Sequence, residues 1–261
     1  MIRIGTSGYS YDDWVGPVYP QGLPKRDWLS YYAREFDTCE LNTTFYHMPA
    51  PAMLERIAEK VPPGFLFSVK AFQGITHERE DGLKLAPEFS AALAPLREAG
   101  KLGAVLVQFP YSFHPTQENR DYLLRLREAF GDVPIVVEFR DARWANEDTF
   151  DILEEIGFGY CCVDEPPLKG LMPPIAVATG PVAYVRFHGR NAAKWWQHEE
   201  AWERYDYMYT AEELQEWVPK LHTLDQKAPL TLVYANNHWG GQAVATARLL
   251  RTLLQQAAAA Q

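Results

Sequence analysis

The chain of 261 residues has only three cysteines, Cys39, Cys161 and Cys162, an odd count with two adjacent in sequence. That excludes a disulfide framework of the kind that staples small secreted domains. All three fall in apolar runs, where a thiol serves as a small core residue. No apolar run reaches the roughly 18 residues a membrane-spanning helix needs. Basic residues are in deficit, 25 Lys and Arg against 34 Asp and Glu, for a formal charge of −9. Coating of nucleic acid by bulk electrostatics is thereby excluded, although a local basic patch is not. Gly-Ser linkers, internal repeats and composition breaks are lacking, so a single domain over 1–261 is expected. Met1-Ile2-Arg3-Ile4-Gly5 enters a strand pattern with no charged segment leading an apolar one. With the cysteine usage, this gives the expectation of a reducing cytoplasm.

What the chain does contain is an alternation of short β-type runs with longer helical ones. The runs are Ile2 to Thr6, Thr38 to Phe45, Phe65 to Ala71, Ala104 to Phe109, Ile135 to Arg140, Tyr160 to Asp164, Val182 to His188 and Leu230 to Asn236. They are β-branched, aromatic or leucine-rich, and turn residues bound most of them. Helical patterns cover Asp27 to Phe36, Pro51 to Lys60, Ala86 to Ala99, Thr116 to Phe130, Glu147 to Ile156, Thr210 to about Leu224 and Gly241 to about Gln256. Glycines 100, 131 and 157 stop three of them, and Thr210-Ala-Glu-Glu is a capping-box pattern. Eight such units give the α/β class and a single (β/α)8 TIM-type barrel. The sixth unit is irregular, because the proline-rich stretch Glu165 to Ala178 carries no helical pattern. An open doubly wound sheet is the alternative, but Gly5-Thr6-Ser7-Gly8 does not fit the G-x-G-x-x-G fingerprint.

Active sites of such barrels lie at the carboxyl ends of the strands. Polar residues gather there: Glu40 and Asn42 on one face of strand two, Lys70 on strand three, Gln108 on strand four, Glu138 and Arg140 on strand five. Asp164 ends strand six, Arg186 and His188 share a face of strand seven above Tyr184, and Asn236 and Asn237 end strand eight. Ionised groups inside a barrel need partners. One reading makes this layer a site; the other pairs Glu138 with Arg140 or Lys70, and Asp164 with Arg186, as ion pairs closing the barrel. The loops above are aromatic, with Tyr9, Tyr11, Trp14, Phe45, Tyr46, Trp144 and a run from Trp195 to Tyr209. Such rings stack on sugars or bases, or else form small cores for the loops themselves. Asn236-Asn-His-Trp-Gly240-Gly241 leads into the last helix beside His188-Gly189-Arg190, an arrangement that suits a phosphate. No His-x-His or H-E-x-x-H occurs among the seven histidines, so a histidine-rich zinc site is not expected. A divalent cation held by Glu138 and Asp164 is the one metal alternative.

Several motifs in order carry a family resemblance. They are Ile4-Gly-Thr-Ser-Gly-Tyr9, Leu29-Ser-Tyr-Tyr-Ala33, Glu40-Leu-Asn-Thr-Thr-Phe-Tyr46, Phe67-Ser-Val-Lys70 with Thr76-His77, Val137-Glu-Phe-Arg140 with Trp144, Tyr184-Val-Arg-Phe-His-Gly-Arg190, Tyr205-Asp-Tyr207 and Tyr234-Ala-Asn-Asn237. Together they resemble the domain of unknown function 72 family, the YecE-like proteins, over nearly the whole chain. The family pattern has Asn-Ser-Thr-Phe-Tyr where this chain has Asn42-Thr-Thr-Phe-Tyr46. The resemblance implies a TIM-type barrel and no settled activity. It also implies a likeness to metal-dependent endonucleases, whose histidine-rich ligand set this chain does not have.

Three functions follow as expectations. The first is an enzyme, hydrolase-like, acting on an anionic ring-containing substrate such as a sugar phosphate or nucleotide. Glu138 would be its general acid or base, His188 a second proton-transfer group, and Lys70 a third catalytic residue able instead to form a Schiff base. Arg140, Arg186, Arg190, Asn42, Asp164, Asn236, Asn237, Tyr9 and Tyr46 would bind the substrate, with no resident cofactor or metal. The second is a nucleic-acid-binding or endonuclease-like protein, with arginines on phosphates and rings on bases. The third is a non-catalytic ligand-binding protein whose charged residues merely pair with one another.

Overall fold

The computed structural model describes residues 1–259. Eight strands form one parallel sheet: β1 (Ile2–Thr6), β2 (Thr38–Leu41), β3 (Leu66–Lys70), β4 (Leu102–Gln108), β5 (Ile135–Glu138), β6 (Gly159–Asp164), β7 (Val182–Phe187) and β8 (Leu230–Ala235). Their order is β1-β8-β7-β6-β5-β4-β3-β2, so the sheet curls round until its first and second strands meet. At that seam a Ser7–Glu40 bridge and the bond from Gly8 N–H to the Glu40 carbonyl (2.8 Å) close the ring at its upper rim. Gly5 permits the approach, since a Cβ there would lie 2.2 Å from the Thr38 carbonyl oxygen. The nearly closed TIM-type barrel expected from the sequence is the observed fold.

Helices connect the strands and wrap the outside, with their ends where local chemistry puts them. Thr116 caps Gln117–Phe130, Asn146 caps Glu147–Glu155, and the Thr210–Glu213 capping box starts Ala211–Gln215. The sixth crossover carries no helix, as its prolines require. Several boundaries differ from expectation: the first helix is only Trp28–Tyr32, and the one starting at Thr210 breaks into Ala211–Gln215 and Val218–Lys227. β2 stops at Leu41, because residues Thr43–Phe45 wind into a 3-10 turn that swings Phe45 over the barrel mouth. The third helix begins at Gly82, not Ala86, and breaks at Leu93. Before it lies a π-helical turn, Gly74–Glu78, that no apolar periodicity marks. Among the described residues no helix is long and apolar enough to cross a membrane.

Parallel register fixes which side chains face the barrel axis. Tyr234 lies opposite Arg186, Arg186 opposite Val163, Gln108 opposite Glu138, and Glu40 opposite Ser68. Laterally paired residues share a face, so these side chains project inward. Their immediate neighbours in sequence project outward under the helices. Phe187, paired with Asp164, is one of them.

Candidate active site

Two tiers of polar residues fill the upper barrel. The lower tier is a saturated ion network. Arg186, only 2% exposed, donates from Nε (3.0 Å) and Nη2 (2.7 Å) to the two oxygens of Glu40, and from Nη1 to Glu138 Oε2 (2.7 Å). The Tyr184 hydroxyl donates to Glu40 Oε2 at 2.7 Å. His188 Nε2 lies 3.0 Å from Glu138 Oε1, and the Asn236 amide donates to His188 Nδ1 at 3.0 Å. The amide orientation that satisfies this network leaves the His188 proton on Nε2, pointing at the carboxylate. Burial pushes the His188 pKa down to about 3, with the Arg140 charge adding to the effect, so the ring is neutral. Burial alone would raise the Glu138 pKa; the charges of Arg140 and Arg186 and the His188 bond outweigh it and hold the carboxyl well below the usual range.

This arrangement changes the roles expected of two residues. Both nitrogens of His188 are engaged and its protonated form is strongly disfavoured, so it is a poor proton shuttle near neutrality. Glu138 is a pinned carboxylate, equally ill-suited to give or take a proton. Both are fully buried and neither lines the cavity. Arg186 pairs with Glu40 and Glu138, not with Asp164.

The upper tier lines a cavity of about 400 Å³ at the carboxyl ends of the strands. Its walls include Asn42, Lys70, Gln108, Arg140, Asn236 and the edge of Arg186, with rings from Tyr9, Tyr11, Phe45, Tyr46 and Tyr205. Three cations face this space and no carboxylate does. Lys70 Nζ sits 4.3 Å from the centroid of the Phe45 ring and has no hydrogen bond or ion pair among the described residues. Burial lowers its pKa to about 7, and the neighbouring Arg186 charge adds to the shift. Arg140 Nε lies 2.8 Å from Glu138 Oε1, but its N–H is not directed at that oxygen, and Nη1 is 3.8 Å from Glu165 Oε2. Its guanidinium therefore keeps unused donors. Burial raises the Glu165 pKa to about 7; one of its oxygens accepts from Met172 N–H (2.8 Å) and the other accepts no hydrogen bond.

Several expected site residues lie elsewhere. Asp164 points outward from β6, where Arg190 holds it at 2.8 and 2.7 Å and the Tyr209 hydroxyl and Trp217 indole each donate at 2.7 Å. Asp164 and Arg190 form a strut beneath the loop after β7, remote from the cavity lining. Asn237 likewise points outward, donating to the Tyr207 carbonyl and Thr246. Glu138 and Asp164 are on opposite faces of the sheet with their oxygens taken, so the two do not make a cation site. Among the described residues no three His, Cys, Asp or Glu side chains gather as a metal centre. The phosphate site expected before the last helix is filled by the protein itself, since Gly240 N–H donates to Asp13 Oδ2 (2.6 Å) and Gly189 N–H to the Tyr209 hydroxyl (2.9 Å). The aromatic loops divide: Trp14, Tyr19, Trp144, Trp195 and Tyr209 are buried as loop cores, while Tyr46 and Trp196 remain exposed.

Sequence reasoning undervalued Glu40, which shares the Asn42 face and is the main partner of Arg186. It also passed over His77, which the π-helical turn packs edge-on against Phe45 at 4.9 Å. Burial, and then the Lys70 charge, lower the His77 pKa to about 4. The Thr76-His77 pair just past β3 was its only signal.

An eight-stranded parallel barrel with its polar groups collected at the carboxyl ends defines a TIM-type α/β protein. The chain belongs to the family described as protein of unknown function DUF72, whose sequence profile matches residues 3–261. It is 32% identical to the UPF0759 protein YunF of Bacillus subtilis (strain 168), across 97% of this chain and 95% of that one. The UPF0759 protein YecE of Escherichia coli (strain K12) is 32% identical over 45% of this chain and 40% of its own length. The crystal structure of a DUF72 family protein from Thermotoga maritima MSB8 superposes with a TM-score of 0.90 at 37% identity, covering 98% of this chain and 99% of that one. One from Enterococcus faecalis V583 gives 0.87 at 30% identity, covering 98% and 96%.

Proposed function

We propose that this barrel is an enzyme for a small, ring-bearing anion, bound in the cavity at the carboxyl ends of the strands, with Lys70 as the group that performs the chemistry. The observation that carries the reading is the charge of the lining: Lys70, Arg140 and Arg186 face the cavity, no carboxylate does, and Arg140 has donors left over. A buried guanidinium with unfilled N–H groups favours an oxyanion, whether carboxylate or phosphate. The five rings around the opening supply flat apolar surface for the rest of the molecule. The volume is that of a metabolite site rather than a polymer groove. Proton transfer falls to Lys70, because Glu138 and His188 are spent on holding Arg186 and each other.

The test is calorimetric titration with benzoate and phenyl phosphate against uncharged benzyl alcohol, on the parent and on Arg140→Gln. The anions should bind and the alcohol should not. Loss of a charge-assisted hydrogen-bond donor should weaken anion binding by about 10- to 100-fold in Arg140→Gln. Equal binding of the alcohol, or anion binding indifferent to Arg140, would refute the reading.

A further inference from the structure

We propose that Lys70 condenses with the carbonyl group of a small ring-bearing acid, making the cavity a Schiff-base site for keto acids or for aldehydes that carry a phosphate. The inference rests on the reading above and narrows its substrate class. Lys70 ends β3, paired laterally with Leu106, and its carbonyl accepts from the Thr44 hydroxyl at 2.6 Å, so the root of the side chain is fixed. Its amine lies against the Phe45 ring and finds no carboxylate, although Glu40 and Glu138 occupy the same barrel. Those carboxylates are bonded by Arg186, Tyr184 and His188 instead.

A lysine kept only for its charge gains from an acidic partner or open water. This one has no acidic partner and stands half-buried against the Phe45 ring, and two guanidinium groups beside it already supply the permanent charge an anion needs. An amine desolvated beside other cations holds its proton weakly and presents a lone pair near neutral pH. The pKa lowered to about 7 agrees with that geometry. Arg140 then takes the acid group, the rings take the flat portion, and the carbonyl carbon is left toward Lys70.

The chemistry balances without an added reagent. The Nζ lone pair attacks the carbonyl carbon, a C–N bond forms, and one amine proton passes through water to the carbonyl oxygen to give a carbinolamine. The C–O bond then breaks, the oxygen leaves as water with the second amine proton, and the C=N bond of the imine remains.

The experiment uses two carbonyl probes, phenylpyruvate and pyridoxal phosphate, each with its alcohol counterpart, phenyllactate and pyridoxine phosphate. The intact protein is incubated with each carbonyl probe, reduced with borohydride, digested and mapped by mass spectrometry. The expected adduct with at least one probe is concentrated on Lys70 over the exposed Lys84, is suppressed by the matching alcohol, and is lost in Lys70→Arg. The map on the unaltered protein decides the matter even where a variant fails to fold. If the alcohols bind in the cavity but Lys70 is labelled no more than Lys84, the Schiff-base inference is overturned while the anion-site reading stands. If neither carbonyls nor alcohols bind, the reading beneath it falls as well.

Discussion

Replacing Arg186 by methionine removes the cation that joins two fully buried carboxylates, and its cost follows from the geometry. Glu40 loses both of its guanidinium bonds and keeps only the Tyr184 hydroxyl; Glu138 loses one and keeps Arg140 and His188. Breaking one partner of a buried ion pair costs about 3–5 kcal/mol, because the other charge is left unpaired. An unfolding entropy of about 2.1 cal/mol/K per residue gives roughly 0.5 kcal/mol/K for a chain of this length, so the melting temperature should fall by about 7 °C. The assay is a calorimetric melt of parent and Arg186→Met across pH. In the parent, Glu138 is held well below its usual pKa, so its contribution is present above the unfolded pKa and lost as pH falls through the depressed folded value. With Arg186 gone that depression shrinks, so the gap between the two proteins should narrow on acidification. A variant melting within about 1 °C of the parent at neutral pH would show that the buried network is energetically idle, and the two-tier account would be wrong.

Lys70→Met should behave in the opposite sense. With its pKa lowered from 10.5 to about 7, Lys70 costs stability in its charged form, and that cost is relieved as pH rises from 7 toward 10.5. The variant should therefore melt above the parent near pH 6, with the difference vanishing by about pH 10, as read from paired thermal melts. Glu165, raised from 4.5 to about 7, stabilises the fold in its protonated form, an effect fully present below 4.5 and lost as pH rises through 7. Glu165→Gln should abolish that loss of stability between pH 4.5 and 7 in the same measurement. Asp164→Asn should destabilise by about 3 kcal/mol through the Arg190, Tyr209 and Trp217 strut, seen by urea unfolding, while leaving anion binding in the cavity unchanged.

The barrel was legible because its evidence is periodic. Apolar runs bounded by turn residues mark strands, and caps such as Thr116 and Thr210 mark helix starts, independently of the tertiary structure. The site was legible only as far as alternation reaches. Period two places Glu40 with Asn42, Glu138 with Arg140, and Arg186 with His188, and each pair does share the inward face. It does not by itself say which face of β6 is inward. Asp164 ends that strand just as Lys70 and Gln108 end theirs, yet register sets it opposite Phe187 and outward, while Val163 takes the inward place beside Arg186. The same parity sends Asn236 into the barrel and Asn237 out of it. The irregular turn Gly74–Glu78, and with it His77, carried no periodic signal to read.

Height along the axis matters as much as face, and it separates the paired network from the cavity lining here. Successive inward residues of one strand stand about 6–7 Å apart along it, so each inward strand position defines a layer. Tyr184, Arg186 and His188 climb β7 in that order, and the two upper ones are bound to carboxylates from β2 and β5. An arginine held at three nitrogens by two buried carboxylates cannot turn away, so its charge is a fixed feature of the cavity floor rather than a mobile partner for solvent. Arg140 stands two residues above Glu138, close enough to feel its charge and too poorly aligned to spend its N–H groups on it. Lys70 stands two residues above Ser68, beyond any carboxylate. The saturated layer thus does for the site what water cannot: it holds positive charge in place while leaving the groups above it unpaired. A barrel that needed these charges only to close its top would pair Arg140 and Lys70 as fully as it pairs Arg186.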